Sequence, residues 1–211
     1  MTTMRLAPSL DFELTLWQGG CDRVAGLDEA GRGCWAGPVY AGAVILPADA
    51  DILRRLDGVR DSKLMTALQR DRWEEEIKMA AAAWGIGFAS REEIDSLGIL
   101  PATRLAMGRA LSKLEPAPLH LLIDAVRLRE VDLPQMALIH GDRLCLSIAA
   151  ASVLAKTARD AYMRELDQQY PGYGFARHKG YGTAYHRQAL AEMGPCAEHR
   201  QSYAPVKFYT L

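Results

Sequence analysis

The sequence predicts a mixed α/β sheet with helices packed on its faces, in a single domain. Strand-like runs come first, at residues 23–29, 36–46 and 83–90, and further runs at 120–125 and 136–139 are separated by segments with helical signals. Residues 30–35 form a tight glycine-bearing turn, so the first two strands are expected to pair antiparallel.

Each element has its own signal. Residues 23–29 lead from Val24 through apolar residues into Asp28 and Glu29. Residues 36–46 are apolar on both faces, as a central strand must be, and Pro47 ends them. A loop runs to Lys63, and Thr66 is placed to cap a helix extending to about Ala82. Ser90 with Glu93 three residues on is a capping box for a short helix. Pro101 opens another helix, which closes before Pro116. His120 to Ala125 is a strand that reaches a carboxylate, Asp124; Met136 to Ile139 runs into His140, Gly141 and Asp142. A long Ala-rich helix covers Ser147 to about Gln168, stopped by Pro171, and a last helix covers Thr183 to Met193 before an irregular tail.

Composition narrows the class. With 211 residues, 49% hydrophobic and 24% charged, the chain reads as an ordinary globular protein with a real core. The net charge of −1 excludes bulk electrostatic attraction to a polyanion, so any nucleic acid must be met by local Lys and Arg clusters. The four cysteines, Cys21, Cys34, Cys145 and Cys196, have no zinc-site spacing and are expected to be reduced thiols of a cytoplasmic protein. Asp11 and Glu13 interrupt the apolar stretch that a signal peptide would need, and no run is long enough to span a membrane.

Four acids stand where solvated acids seldom do. Asp28, Glu29, Asp124 and Asp142 each sit at or near the exit of an apolar strand. Strand ends gather in space in an open α/β sheet, and buried charge is costly unless paired or metal-bound. Any one of them alone is as readily a helix cap or a turn carboxylate. Neighbours on a strand point to opposite faces, so Asp28 and Glu29 serve one site only if the strand breaks between or just after them; Gly31 and Gly33 offer that break. An all-carboxylate set suits Mg²⁺ or Mn²⁺, and two such ions roughly 3.5–4 Å apart clamp the attacking water and leaving oxygen of a phosphodiester.

The glycine turn has two decoy readings. Gly26 to Gly33 has P-loop spacing but lacks the Lys-Ser/Thr pair, and Gly31 to Ala36 fits the loose dinucleotide pattern but leads into β-rich sequence instead of a helix. A bare turn that lets a sugar hydroxyl approach Arg32 and exposed amides fits better, with a plain β-turn as the alternative; the 2′-hydroxyl distinguishes RNA from DNA. Lys156, Arg159 and Arg164 on the long helix read either as a phosphate-binding ridge or as a solvated face, and Asp160 as a structural partner to an arginine. Arg177, His178 and Lys179 among Tyr173, Phe175 and Tyr181 suit a groove that tracks a nucleic-acid strand.

Taken together, these motifs resemble a known family. Asp28 to Gly33 followed by Ala36 to Val39, then Asp61-Ser62-Lys63, Ser147 to Ser152 with Lys156 and Arg159, Tyr170 to Phe175, His178 to Thr183, and His199 to Val206 resemble the signatures of ribonuclease HII over about residues 22–206. Tyr203 stands where the family commonly has Phe. The resemblance implies a ribonuclease H-like mixed five-stranded sheet flanked by helices, with a core over about residues 20–168 and a C-terminal substrate-binding extension over about 169–211. It implies an endonuclease that cuts the RNA strand of RNA–DNA hybrids and the 5′ side of single ribonucleotides embedded in duplex DNA, leaving 3′-hydroxyl and 5′-phosphate ends. The metal-binding acids are then Asp28, Glu29, Asp124 and Asp142, holding Mn²⁺ or Mg²⁺. Gly31, Arg32 and Gly33 sense the 2′-hydroxyl, Tyr181 packs on the neighbouring sugar, and Lys63, Lys156 and Lys179 contact the substrate. A monomer is expected, because the last residues carry no clamp-binding motif. The competing readings are a non-catalytic nucleic-acid-binding module on the same fold, and a resolvase or integrase core.

Overall fold

The computed structural model describes residues 7–209. The ends to which the leader and clamp-motif expectations partly refer, residues 1–6 and 210–211, lie outside the described residues. The elements in order are α1 (Asp11–Gln18), β1 (Val24–Ala30), β2 (Val39–Ile45), α2 (Ile52–Arg55), α3 (Ala67–Ala80), β3 (Ala83–Ala89), α4 (Arg91–Leu97), α5 (Ile99–Leu111), β4 (His120–Asp124), β5 (Gln135–Leu138), α6 (Leu146–Gln169), α7 (Phe175–His178), α8 (Ala184–Met193) and α9 (Ala204–Lys207).

The five strands form one sheet in the order β3-β2-β1-β4-β5. β1 pairs antiparallel with β2, as expected, although the connection between them runs over residues 31–38 and is longer than the expected tight turn; β2 pairs antiparallel with β3. β4 runs parallel to β1 on its other side, and β5 runs parallel to β4. The expected mixed five-stranded sheet flanked by helices is what forms. One face packs Leu27, Ala43, Leu121 and Ile123 against Ala102, Ala106 and Ala110 of α5. The other packs Val44 against Ala149, Ala150 and Val153 of α6, with Ile77 of α3 behind them. Each of the larger aliphatic side chains among these, such as Leu27, Ile123 and Val153, contributes about 1.5–3 kcal/mol when fully buried. α6 lies close to the sheet because glycines face it: a Cβ on Gly26 would run into the Ser147–Ile148 backbone, and one on Gly42 into the carbonyl of Ala151. That close approach sets Ser152 beside the end of β1.

The expected capping box forms at α4, Ser90 with Glu93, and the Thr66 cap of α3 turns out to be a capping box as well, completed by Gln69. Each cap oxygen satisfies a helix-end N–H and contributes about 1 kcal/mol. Pro101 is the third residue of α5, not its opener, because the helix begins at Ile99 directly after Gly98. The N-terminal helix α1 has no place in the expected element order. Its Glu13 is fully buried and accepts from both the backbone N–H (2.9 Å) and the hydroxyl (2.7 Å) of Ser147. A carboxylate from the far end of the chain therefore caps α6, where the helix dipole favours negative charge. Among the described residues no helix is long and apolar enough to cross a membrane.

Candidate active site

β1 and β4 are adjacent, parallel and in register, with Leu27 opposite Ile123 as the last pair. One step further along both strands stand Asp28 and Asp124. Gly26 and Leu122, two residues before them, both face α6, so strand alternation turns the two acids to that same side. The Gly141 N–H donates to Asp124 Oδ1 at 2.7 Å, which fixes the turn carrying Asp142 against the end of β4. Glu29 alternates to the opposite face, and β1 continues unbroken to Ala30. The break comes just after, at Gly31, whose φ of +97° belongs to glycine. Asp28 Oδ1 accepts from the N–H of the next residue, Glu29, at 2.7 Å.

These acids feel one another. Burial pushes Asp28 well above the usual aspartate range, and the charges of Glu29 and Asp124 push it further. Burial also raises Glu29, with Arg32 opposing and Asp124 adding. Asp142 is raised by burial, then by Asp61 and Asp124, with Lys63 opposing. Three carboxylates held above their ordinary values by burial, each with the charge of Asp124 adding to it, store unfavourable charge that a cation would relieve. Burial pulls the Lys63 ammonium down, but Asp28, Asp142 and Asp61 together outweigh it and hold it up. Lys63 Nζ lies 3.5 Å from Asp142 Oδ2 and 3.8 Å from Asp61 Oδ1, while Arg143 holds Asp61 from the other side at 3.2 Å.

Do the residues fit a divalent ion? Asp28 Oδ2 and Glu29 Oε2 are buried oxygens with no hydrogen-bond partner. Such orphaned acceptors are expensive unless something binds them, and hard oxygen donors suit Mg²⁺ or Mn²⁺. Among the described residues no three His, Cys, Asp or Glu side chains converge on a ready-made cation cage. The four acids share a corner of the sheet, with the Lys63 ammonium beside Asp142 and within the field of Asp28. The donor set fits.

The Gly31–Gly33 turn borders this corner. Arg32 pairs with Glu29 at 3.1 Å, and Gly33 is exposed. Tyr181 is 43% exposed, and burial of its hydroxyl, with Cys34 next to it, pushes it above the usual tyrosine value. Lys156 and Lys179 stand apart from the acids. Lys156 pairs with Asp160 at 2.6 Å, Arg70 joins Asp160 from α3 at 3.0 Å, and Lys179 donates to the Ala176 carbonyl. Burial lowers both lysines, with Asp160 opposing. Asp160 is thus a partner to an arginine, as expected, although that arginine comes from another helix.

Arg159 does not behave as a ridge or as a solvated residue. It is fully buried, and its guanidinium donates to the carbonyls of Pro38 (3.0 Å), Lys179 (2.9 Å) and Ala36 (3.2 Å). The helix turns this side chain inward because the chain on either side of the site leaves carbonyls there without strand partners. Arg200 does the same for Gly31, Arg32 and Gly37. His178, expected in a strand-tracking groove, is also buried. These inward-facing cations look like surface residues in sequence, and no local signal marks them.

Three buried histidines hold the segment around Tyr181. The His178 ring donates to the Tyr173 carbonyl at 2.7 Å and accepts from the Gly180 N–H. His186 Nδ1 meets the Tyr181 carbonyl at 3.0 Å, its Nε2 meets His199 Nε2 at 3.0 Å, and His199 Nδ1 accepts from the Cys196 N–H at 2.9 Å. One arrangement satisfies all of these: both rings neutral, with His199 donating to His186 and His186 donating to Tyr181. Burial depresses His186 and His199 to about 4. Their contribution to stability is therefore complete above the ordinary value of 6.5 and is lost as pH falls towards 4. Ring NMR titration should show neither histidine protonating near 6.5; a normal step there would break the proposed tautomer chain.

The ribonuclease HII family matches residues 25–210. The chain is 53% identical to the ribonuclease HII of Anaeromyxobacter sp. over 203 residues, covering 96% of this chain and 63% of that one, so it spans less than two thirds of that relative. It is 52% identical over 200 residues to the ribonuclease HII of a Synechococcus strain, covering 95% and 90%. The solved structure of the PCNA:RNase HII complex from Archaeoglobus fulgidus superposes with a TM-score of 0.74 at 25% identity, covering 89% of this chain and 97% of that one. The match runs through every strand of the sheet and the whole corner where the acids meet, and the chain belongs to the ribonuclease HII family.

Proposed function

We propose that this chain is a metal-dependent endonuclease that hydrolyses the RNA strand of RNA–DNA hybrids and cuts 5′ of single ribonucleotides in duplex DNA, leaving 3′-hydroxyl and 5′-phosphate ends. The observation that carries the reading is the pair of buried, unpartnered oxygens on Asp28 and Glu29, beside Asp124 and Asp142. Asp28, Glu29, Asp124 and Asp142 would hold two Mg²⁺ or Mn²⁺ ions. When bound, the ions would supply the positive charge that activates water at neutral pH and steadies the leaving oxygen.

The rest is the work of the protein's own groups. Gly141 orients Asp124 through its N–H, so that one carboxylate oxygen is held and the other is left for ligation. Lys63, now beside Asp142, is placed to turn to a substrate phosphate once that acid is otherwise neutralised. The Gly31–Gly33 turn meets the 2′-hydroxyl, and the half-exposed Tyr181 ring packs on the adjoining sugar. Lys156 and Lys179, gathered round Asp160, add a phosphate contact further along the duplex. On this reading the chain works as a monomer in the cytoplasm, where its four unpaired thiols stay reduced.

The test is cleavage of duplex DNA bearing one ribonucleotide, with and without Mg²⁺ or Mn²⁺. Binding without cutting under either ion would overturn the reading. Asp124→Asn keeps an oxygen for the Gly141 N–H and removes one charge, so it should fold normally yet lose at least about 100-fold in kcat. Turnover at the wild-type rate would remove Asp124 from the metal site.

A further inference from the structure

We infer that Arg200 is a positioning residue for ribose recognition: from beneath the Gly31–Gly33 turn it holds two peptide groups so that the N–H groups of Arg32 and Gly33 face the substrate. The inference rests on the reading that this turn meets the 2′-hydroxyl.

Arg200 is fully buried, and among the described residues no carboxylate lies within ion-pair distance of it. A buried guanidinium normally has an acidic partner. Here its donors go to oxygens of the turn: Nη2 to the Gly31 carbonyl at 2.8 Å, Nη1 to the Arg32 carbonyl at 2.9 Å, and Nε to the Gly37 carbonyl at 2.9 Å. Nη1 also reaches the Tyr203 hydroxyl at 3.0 Å, which itself donates to the Arg32 carbonyl at 2.6 Å. The Tyr203 ring lies 5.2 Å from the guanidinium carbon.

Peptide planarity turns these inward contacts into an outward display. The C=O of one residue and the N–H of the next belong to the same plane and point in opposite directions. With the Gly31 carbonyl drawn inward, the Arg32 N–H must point out; with the Arg32 carbonyl drawn inward, so must the Gly33 N–H. Neither N–H donates to any described group, whereas the next one, on Cys34, bends back to the Gly31 carbonyl. The charge behind both carbonyls polarises the two peptides and strengthens their N–H groups as donors. A ribose offers an oxygen to them. A deoxyribose leaves them without that acceptor, and a site built around a hydroxyl discriminates strongly against its absence.

The role is also graded. Where the family commonly has Phe, this chain has Tyr203, and its hydroxyl adds a second donor to the Arg32 carbonyl. Arg159 braces the chain that follows the turn through Ala36 and Pro38, but it also holds Lys179, so its loss would disturb the Tyr181 segment as well.

The experiment measures binding with the full chain carrying Asp124→Asn to silence cleavage, in Mg²⁺, to two duplexes of one sequence, one all DNA and one with a single ribonucleotide. Adding Arg200→Lys, which keeps the charge but loses the planar fork, should lower the ribonucleotide preference at least about tenfold and leave all-DNA affinity within about twofold. Adding Tyr203→Phe should lower it about threefold. A folded Arg200→Lys protein with the original preference, or one that loses affinity for both duplexes in parallel, overturns the inference. If Arg200→Lys does not fold, an unchanged preference in Tyr203→Phe overturns it. Absence of any ribonucleotide preference before either change is made sinks the reading of the turn itself, and the inference with it.

Discussion

Asp28→Asn is expected to reduce cleavage by about a thousandfold or more while making the metal-free protein more stable. The two effects share one cause. Asp28 is fully buried at the end of β1, its Oδ2 has no partner, and burial, Glu29 and Asp124 all disfavour its charge. Without a cation, ionised Asp28 opposes folding. The sign follows from the raised folded value: its favourable contribution is complete below the ordinary 3.8 and is lost as pH rises through the folded value, so at neutral pH it is a liability. Asparagine removes that liability and keeps an oxygen for the Glu29 N–H. In EDTA at pH 7 the melting temperature should rise by about 2–4 °C for each kcal/mol relieved. Added Mg²⁺ or Mn²⁺ should stabilise the wild type far more than the variant, because ligation of the native state shifts Tm by mass action. The gap in EDTA should also close as pH falls towards 4. A variant that melts lower in EDTA than the wild type would make Asp28 a structural acid, and one that still cleaves would remove it from the reaction.

The same physics explains what was legible in the sequence. Asp28 and Asp124 stand out because a charged residue after Gly26-Leu27 or Leu121-Leu122-Ile123 interrupts a run that only a buried strand would use. Adjacency of the two strands then follows from the parallel crossover, so sequence pattern and topology point to one corner. The Thr66 cap and the Ser90–Glu93 capping box were legible because they are local, needing only residues a few positions apart. What was not legible depends on distant partners. Arg159 and Arg200 carry the charge of surface residues, and only the carbonyls of residues 31, 32, 36, 37 and 38 explain why they point inward. Glu13 looked like a break in an apolar stretch, and its role appears only when Ser147 is brought to it across 134 positions. The single-turn helices α2, α7 and α9 are too short to show a helical period. Ile139, placed at the end of the last strand by its apolar character, lies one residue beyond β5 and is 76% exposed.

Gly31→Ala and Gly33→Ala should separate the turn's hold on its own shape from the role in admitting the sugar proposed for it. At Gly31 the φ of +97° is one that alanine rarely adopts, and a Cβ would run into the Arg159 side chain. Arg159 cannot move aside, because it is fully buried and its guanidinium is committed to three carbonyls. Backbone strain of about 1–3 kcal/mol and overpacking of about 1–3 kcal/mol add, so Gly31→Ala should lower unfolding stability by about 2–6 kcal/mol. It should also cut kcat/KM on a single-ribonucleotide duplex by about 100-fold or more, since the turn carries the Arg32 and Gly33 amides. Gly33 is different. It is exposed, its φ is not positive, and a Cβ there meets nothing within 4 Å. Gly33→Ala should therefore leave stability within about 0.5 kcal/mol of the wild type. If the ribose approaches this turn, the new methyl nonetheless occupies its place, and KM should rise by about tenfold or more with the fold intact. Urea melts and cleavage kinetics on both variants check the pair. A Gly33→Ala protein with unchanged KM would show that the sugar does not pass over the turn, and a stable Gly31→Ala protein would show that Arg159 yields after all.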